Sequence, residues 1–506
     1  MSATRCHRPM RVGRAPCAFV CCALLSAVVS IASSQQAPPV TQKHDSVIVD
    51  PKAKVVPHDK SLFGPDPDYG TPKYDYQAQL DIYGGKYLVK TQRPLLELGR
   101  DLYQNGPFKK ASTLLGSHNI LIPQLLVYGD LRSAAGYNRA TSSAGTWGNR
   151  LNLDVDLKLT ATERVHALFQ PLENKGKFTG ADLTGAKKGF KGNFSGQPAA
   201  LFFEGDLGAM VGGLVGKDNP FDMPIAAGLL PLLFQNGVWL EDAFTGAAFT
   251  IPARNSKRLG FSNFDITFFA GADRVSNPTV GDGKDHGMMY GTNSFIETLN
   301  GYIEAGYAYV AGKSEGGQDF SSLALSFTRR YGGRLSNSVR YIGALSPKSG
   351  AGGKANGHLI LLENSLITSR PSTVVPYLNL FLGVDSPVSA ARDAGAGGIL
   401  KNTGLNFEGD AITGFSSLNA SGQDALGGAL GLNLLGSGFE RQLVVEVAGA
   451  HPTQTSTAMP GDQYAIGARI QQPLTNAIIL RFDAMYGRRH LLSDISGVRV
   501  ELRHKF

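Results

Sequence analysis

SGVRVELRHKF, residues 496–506, is the stretch from which the rest of the chain can be read. Taken in steps of two, Val498, Val500, Leu502 and Phe506 fall on one face, interrupted only by His504. Arg499, Glu501, Arg503 and Lys505 fall on the other. Period two is the signature of a strand, so this segment is apolar on one side and charged on the other. Two settings accept such a strand. One is a one-sided sheet of a soluble domain. The other is a barrel in a membrane, with lipid on the apolar face and water on the charged face. There the last strand pairs with the first and no edge is left.

The pattern recurs. Leu151, Leu153, Val155, Leu157 and Leu159 alternate with Asn152, Asp154, Asp156, Lys158 and Thr160. Ala161-Thr162-Glu163 forms a turn, and Val165, Ala167 and Phe169 return against Arg164, His166 and Gln170. The same opposition sets Leu201, Phe203 and Leu207 against Glu204 and Asp206, and Phe264, Ile266 and Phe268 against Asp265. It sets Ile303, Ala305, Tyr307 and Tyr309 against Glu304, and Val339 and Tyr341 against Arg340. Later, Leu443, Val445 and Val447 oppose Glu446, and Tyr464, Ile466, Ala468 and Ile470 oppose Arg469. Ile478, Leu480, Phe482, Ala484 and Tyr486 oppose Arg481 and Asp483. A charge in mid-strand is costly in a dry core and tolerated against a water-filled lumen. The expected fold is therefore all-β, a transmembrane antiparallel barrel over residues 118–506. At about 22–26 residues per strand and loop, it has about 16–18 strands. A soluble sandwich or propeller is the structural alternative, disfavoured by so many strands with charge on one face.

The chain has 506 residues, 62 of them glycine, and only 18% are charged. That is long for one globular domain. Mean hydropathy is near neutral, as alternating faces would give, which argues against a helical membrane protein. The formal net charge of +8 includes Arg5, Arg8, Arg11 and Arg14. Without these four it is about +4, too little to argue for nucleic acid. Those arginines and the apolar run Ala15–Ala32 read as a signal peptide over residues 1–34, rather than as an N-terminal transmembrane helix. All four cysteines (Cys6, Cys17, Cys21, Cys22) lie within it, so the expected mature chain has no disulfide and no thiolate site.

Residues 35–75 read as a flexible linker broken by seven prolines between Pro38 and Pro72. Residues 76–117 read as a periplasmic lead-in or plug element. Its short helix is expected over Pro94–Tyr103, with Leu95, Leu96, Leu98 and Leu102 as an imperfect apolar stripe. Ser346–Gly357 and Ala390–Gly398 are Gly- and Ser-rich and read as mobile loops, and Glu173–Gln197 as a basic loop. Met223–Leu240 carries no charged residue, yet Pro224, Gly228, Pro231, Gln235, Asn236 and Gly237 speak strongly against a transmembrane helix. Two readings stay open there: strand material around Asn236-Gly237, or an apolar loop folded into the barrel.

No motif carries catalysis. Phosphate loop, HExxH and haem-attachment patterns are absent, and the ten histidines are scattered. Asp282, Asp285 and His286 share a loop without EF-hand spacing, so a solvated loop is the expectation and no metal or cofactor is assigned. The candidate functional residues are those facing the lumen: Asp154, Asp156, Lys158, Arg164, His166, Glu204, Asp206, Asp265, Glu304, Arg340, Glu446, Arg469, Arg481, Asp483, Arg499, Glu501 and Arg503. Rings of such charges tune which ions pass. Acids and bases look balanced, so strong ion selectivity is not expected. The bland role for the arginines is salt bridging between neighbouring strands.

The final strand ending in Phe506 resembles the C-terminal signal of bacterial outer-membrane β-barrels. Taken whole, the chain resembles outer-membrane porins, and more narrowly the alginate-export group of 18-stranded barrels. That resemblance implies an integral outer-membrane location and passive diffusion of small polar solutes, without a cofactor. It implies recognition by the barrel-assembly machinery through Val498, Val500, Leu502 and Phe506, contact with outer-membrane lipid, and a homotrimer as in general diffusion porins. Other readings stand beside the diffusion channel: a polysaccharide-export or substrate-specific barrel, a plugged non-conducting barrel serving as scaffold or adhesin, and a barrel enzyme acting on lipid or peptide at the rim.

Overall fold

The computed structural model describes residues 94–99 and 120–506, apart from 185–187, 218, 220, 278–286, 313–318, 347–354, 370–373, 437–440 and 455–458. The expected signal peptide and linker, most of the 76–117 segment, the Asp282–His286 loop and the centre of Ser346–Gly357 lie outside the described residues.

Eighteen strands close into one antiparallel barrel. The first six are β1 (Gln124–Arg139), β2 (Ser143–Lys158), β3 (Arg164–Phe169), β4 (Pro198–Asp206), β5 (Pro224–Phe234) and β6 (Leu240–Ser256). The next six are β7 (Phe261–Asp273), β8 (Gly287–Thr298), β9 (Gly301–Gly312), β10 (Phe320–Tyr331), β11 (Leu335–Leu345) and β12 (Gly357–Leu366). The last six are β13 (Val374–Asp385), β14 (Ala425–Leu435), β15 (Gln442–Pro452), β16 (Gln463–Pro473), β17 (Ile478–Arg489) and β18 (Ile495–Lys505). Each strand pairs with the next. The seam runs from Asp130↔Lys505 to Arg139↔Ser496 between β1 and β18. Gly129 and Phe506 then exchange both backbone hydrogen bonds, at 2.8 and 3.0 Å. Closure matters because an open edge in lipid leaves N–H and C=O groups without partners.

The alternation reads directly onto the wall. Val498, Val500 and Leu502 are exposed, whereas Arg499 and Glu501 between them are 1% and 3% exposed. Leu323 and Leu325 face out, with Ser322, Ala324 and Ser326 buried inside. The outer belt continues through Ile360, Leu380, Leu430, Val447 and Ile466. An apolar exterior over a charged interior is the architecture of a transmembrane β-barrel. Among the described residues no helix is long and apolar enough to cross a membrane.

Three expectations are corrected. The described part of Pro94–Tyr103 is a strand, Leu96–Gly99, paired to β1 from Leu96↔Val127 to Gly99↔Gln124. β1 extends below its seam with β18, and pairing that free edge outweighs the local helix preference. The basic loop Glu173–Gln197 is largely folded: Lys177–Asp182 pairs with Thr146–Asn149 of β2, standing above the short β3, and Lys191 meets Asp182. Ala390–Gly398 is packed inside the barrel rather than mobile, with Ala390 and Ala391 fully buried.

Met223–Leu240 satisfies both of its open readings. It is β5, a short 3-10 turn at Gln235–Gly237 and the start of β6. Beyond the facing pair Gly228↔Gly246 the hairpin extends to its tip, where Trp239 and Leu240 are fully buried. Gly228 has φ +134°, a conformation that only glycine adopts without strain. The tip belongs to the barrel interior. The Trp239 indole donates to the Ser322 Oγ of β10 at 2.9 Å and lies against Gly306 of β9, where any Cβ would fall within the ring.

Candidate functional site

The interior is occupied by two connections from the same end of the barrel. One is the β5–β6 tip. The other is the long segment 386–424 between β13 and β14. They are joined: Leu240 and Glu241 pair in parallel with Ala391 and Arg392, Asn402 donates to the Asn236 carbonyl at 2.7 Å, and Arg392 donates to the Gly237 carbonyl. Apolar burial fixes them to the wall. Trp239, Phe244, Leu400, Phe407 and Leu418 pack with inward-facing Phe269, Met289, Val310, Phe320, Ile342, Leu359 and Phe381. The Trp239 and Phe269 rings meet edge-on at 6.3 Å, and Phe381 and Phe407 at 5.6 Å. Each such side chain contributes about 1.5–3 kcal/mol on burial.

Wall charges anchor the same two connections. Arg340 of β11, 2% exposed, donates to the Gln235 carbonyl and pairs with Glu363 at 3.1 Å. Glu304 of β9 accepts from the Gln235 N–H at 2.8 Å. Glu446 of β15, 1% exposed, accepts from the N–H groups of Leu405 and Asn406 at 2.8 Å each, from the Asn406 side chain at 2.9 Å and from the Tyr377 hydroxyl at 2.6 Å. A buried carboxylate with four donors is compensated without a counter-charge.

The densest charge cluster lies on β16, β17, β18 and β1. Asp483, 1% exposed, receives Arg469 at 2.6 Å, Arg481 at 2.8 Å, and Arg499 at 2.8 and 2.9 Å. Glu501 takes Arg132 through two parallel bonds of 3.0 and 2.7 Å, the bidentate geometry that suits guanidinium to carboxylate. Two further carboxylates come from the infolded segment. Glu408 reaches Arg469 at 2.8 Å and Arg481 at 3.5 Å, and Asp410 reaches Arg499 at 2.8 Å. Phe415 covers the Arg499 guanidinium, 5.7 Å from the ring centre. Burial by itself raises the carboxyl pKa of Glu408 and of Asp410. The charge and hydrogen bond of Arg469 with the charge of Arg481, and the charge of Arg499 with the Thr413 donors, outweigh it and hold both below their ordinary values.

The opposite wall is less covered. Arg164 bridges Asp156 and Glu204, and His166 sits 3.6 Å from Asp154 and 3.9 Å from Asp156. The Arg164 and Arg503 side chains are 48% and 44% exposed, and Asp154 is 26% exposed. Arg503 pairs with Asp130 at 2.8 Å. Lys158 closes β2 and Asp265 lies within β7 on the face of the buried Phe269. Asp206 differs from the others. It is spent at the rim as the N-cap of helix α1 (Leu207–Val215), accepting from Ala209 at 2.8 Å and from Met223 at 2.9 Å. The remaining candidates divide into those covered by the infold (Glu304, Arg340, Glu446, Arg469, Arg481, Asp483, Arg499, Glu501) and those on the opener β1–β4 side.

Sequence reasoning missed Asp130, Arg132, Glu408, Asp410 and Trp239. For the first two the signal is present: β1 keeps its alternation through Asp130 and Arg132 to Arg139. Glu408 and Asp410 sit in a connection with no period, and nothing local marks them.

No family model and no curated protein matches the chain. Among solved structures, OccK11 (OpdR) of Pseudomonas aeruginosa is 11% identical over 76% of this chain and 96% of its own, with a TM-score of 0.49. OccK9 (OpdG) of the same organism is 14% identical over 76% and 98%, also at 0.49. The outer membrane protein opdK from Pseudomonas aeruginosa is 14% identical over 75% and 98%, at 0.48.

Proposed function

We propose that this chain is an outer-membrane channel through which small polar or charged solutes diffuse passively, along a passage narrowed to one side by the infolded segment. The observation that carries this reading is the asymmetry of the interior. On β9–β17 the mid-strand charges Arg340, Glu446, Arg469 and Asp483 are covered and apolar packing fills the space. On β1–β4 and the lower part of β18, Arg164, Asp154 and Arg503 keep substantial exposure on the inner face of a closed wall. A charged side chain there needs water beside it, and water in a barrel whose outside is apolar means a path through it. Arg164, His166, Asp154, Asp156, Lys158, Glu204 and Arg503 would line that path, while the acids and bases beneath the infold would set its shape rather than touch solute. Recognition during assembly would fall to the face of Val498, Val500, Leu502 and Phe506.

The buried core favours a second reading, a plugged barrel that conducts only after the infold moves. Planar-bilayer recording separates the two. Steady unitary steps support the diffusion channel, and a folded barrel without steps supports the plug.

A further inference from the structure

Segment 386–424 is held to the wall by apolar burial along its length and by ion pairs at one place. Its first part, through Phe407, is clamped by apolar burial and by the neutral donors on Glu446. Residues 408–415 form a small turn closed by the bridge Asp410↔Phe415. This tip brings the segment's carboxylates onto wall arginines: Glu408 on Arg469 and Arg481, Asp410 on Arg499, with Phe415 over Arg499. Neutral contacts hold it too: Ile412 and Phe415 are 4% and 6% exposed, Phe415 lies against Gly497 and Thr413 against Gly136. Asn138 donates to the Thr413 carbonyl at 2.9 Å, and Ile412 rests on Gly148, where a Cβ would stand 2.7 Å from the Ile412 carbonyl.

Charge counting gives the tip a role. On the wall, Arg132, Arg469, Arg481 and Arg499 face Asp483 and Glu501, so four positive charges less two negative leave an excess of two. Glu408 and Asp410 supply the missing two. We propose that the tip 408–415 is an autoinhibitory latch, in which the chain's own carboxylates occupy guanidiniums that form an anion site on the wall of the passage. The latch opens when an anion takes over those hydrogen bonds. The occupant is an oxyanion, because the groups it replaces are carboxylates on guanidinium forks. The latch itself stands on the ion pairs alone. Its effect on flow rests on the channel reading.

The test uses the full barrel carrying Ile412→Cys, which places a thiol under the tip at a site 4% exposed. Its labelling by a bulky impermeant thiol reagent reports opening. Two carboxylates lose their charge-assisted bonds, so adding E408Q/D410N is expected to raise the labelling rate about a hundredfold or more. Inorganic phosphate added to the parent protein, against chloride of equal ionic strength, should raise it at least severalfold. In bilayers the double variant should conduct more and shift its reversal potential toward that of the anion. An unchanged labelling rate in the double variant overturns the latch whether or not the protein conducts. Faster labelling in a barrel without conductance keeps the latch and removes the channel reading. If the double variant does not fold, D410N alone is measured in the same way, and an unchanged rate there overturns the latch equally.

Discussion

Asp483→Asn is the most demanding change to the interior. One carboxylate serves three guanidiniums, with Arg469, Arg481 and Arg499 all within 2.6–2.9 Å of it. Both Asp483 and Arg499 are 1% exposed, so water does not replace the lost charge. Asparagine offers one acceptor oxygen and turns an N–H₂ toward a guanidinium. Removing one partner of a buried ion cluster costs about 3–5 kcal/mol, because the remaining charges are left uncompensated. About 4 kcal/mol corresponds to a factor of roughly a thousand in the folding equilibrium. Equilibrium urea unfolding of the refolded barrel in lipid vesicles, followed by tryptophan emission, measures it. The second half of the cycle is Asp483→Asn with Arg481→Gln, which removes one stranded cation and should recover at least about 1 kcal/mol. A loss below about 1 kcal/mol for the single change, or no recovery in the pair, refutes the claim that this cluster is a desolvated unit.

Three further outcomes follow from the same geometry. Gly306→Val places its side chain in the Trp239 ring, so it should cost about 1–3 kcal/mol and shift Trp239 emission to the red in a Trp147→Phe background. An unshifted spectrum contradicts the packing of the tip. Glu408 and Asp410 have carboxyl pKa values held below the ordinary 4.5 and 3.8, so their contribution is complete above those values and is lost as pH falls through the lower folded values. The stability gap between the parent and E408Q/D410N should be constant from pH 7 to about pH 5 and narrow as pH falls further, through the lowered folded values. A gap that does not change with pH below the ordinary carboxylate range contradicts the ion pairing. Replacing Glu446 by leucine leaves the Leu405 and Asn406 N–H groups without an acceptor and should destabilise the barrel by about 2–4 kcal/mol, whereas a neutral result would show that the anchor is dispensable.

The wall was legible because period two is a local property. Leu151–Lys158, Ile478–Tyr486 and Val498–Lys505 each show both faces in the order of their residues, and the strands lie where that order puts them. The strands that alternation did not single out are β5, β6, β8, β12, β13 and β14. β12 reads His358-Leu-Ile-Leu-Leu362, apolar on both faces, because its inner Leu359 and Leu361 are buried under the infold while Ile360 meets the exterior. A strand covered on both sides loses its alternation. That loss was the available trace of an occupied lumen. The infold itself has no repeat to read. Its position depends on contacts between residues far apart in the chain, as between Trp239 and Ser322 or Asp410 and Arg499, and a pattern of hydropathy carries no record of those.

Single-channel recording tests the central claim most directly. The full barrel, refolded and inserted in a planar bilayer under a KCl gradient, should give steady unitary steps with weak ion selectivity, since the tip acids neutralise the arginine excess. A barrel that is folded by its β spectrum, inserted in the bilayer and silent at every voltage contradicts an open passage beside the infolded segment.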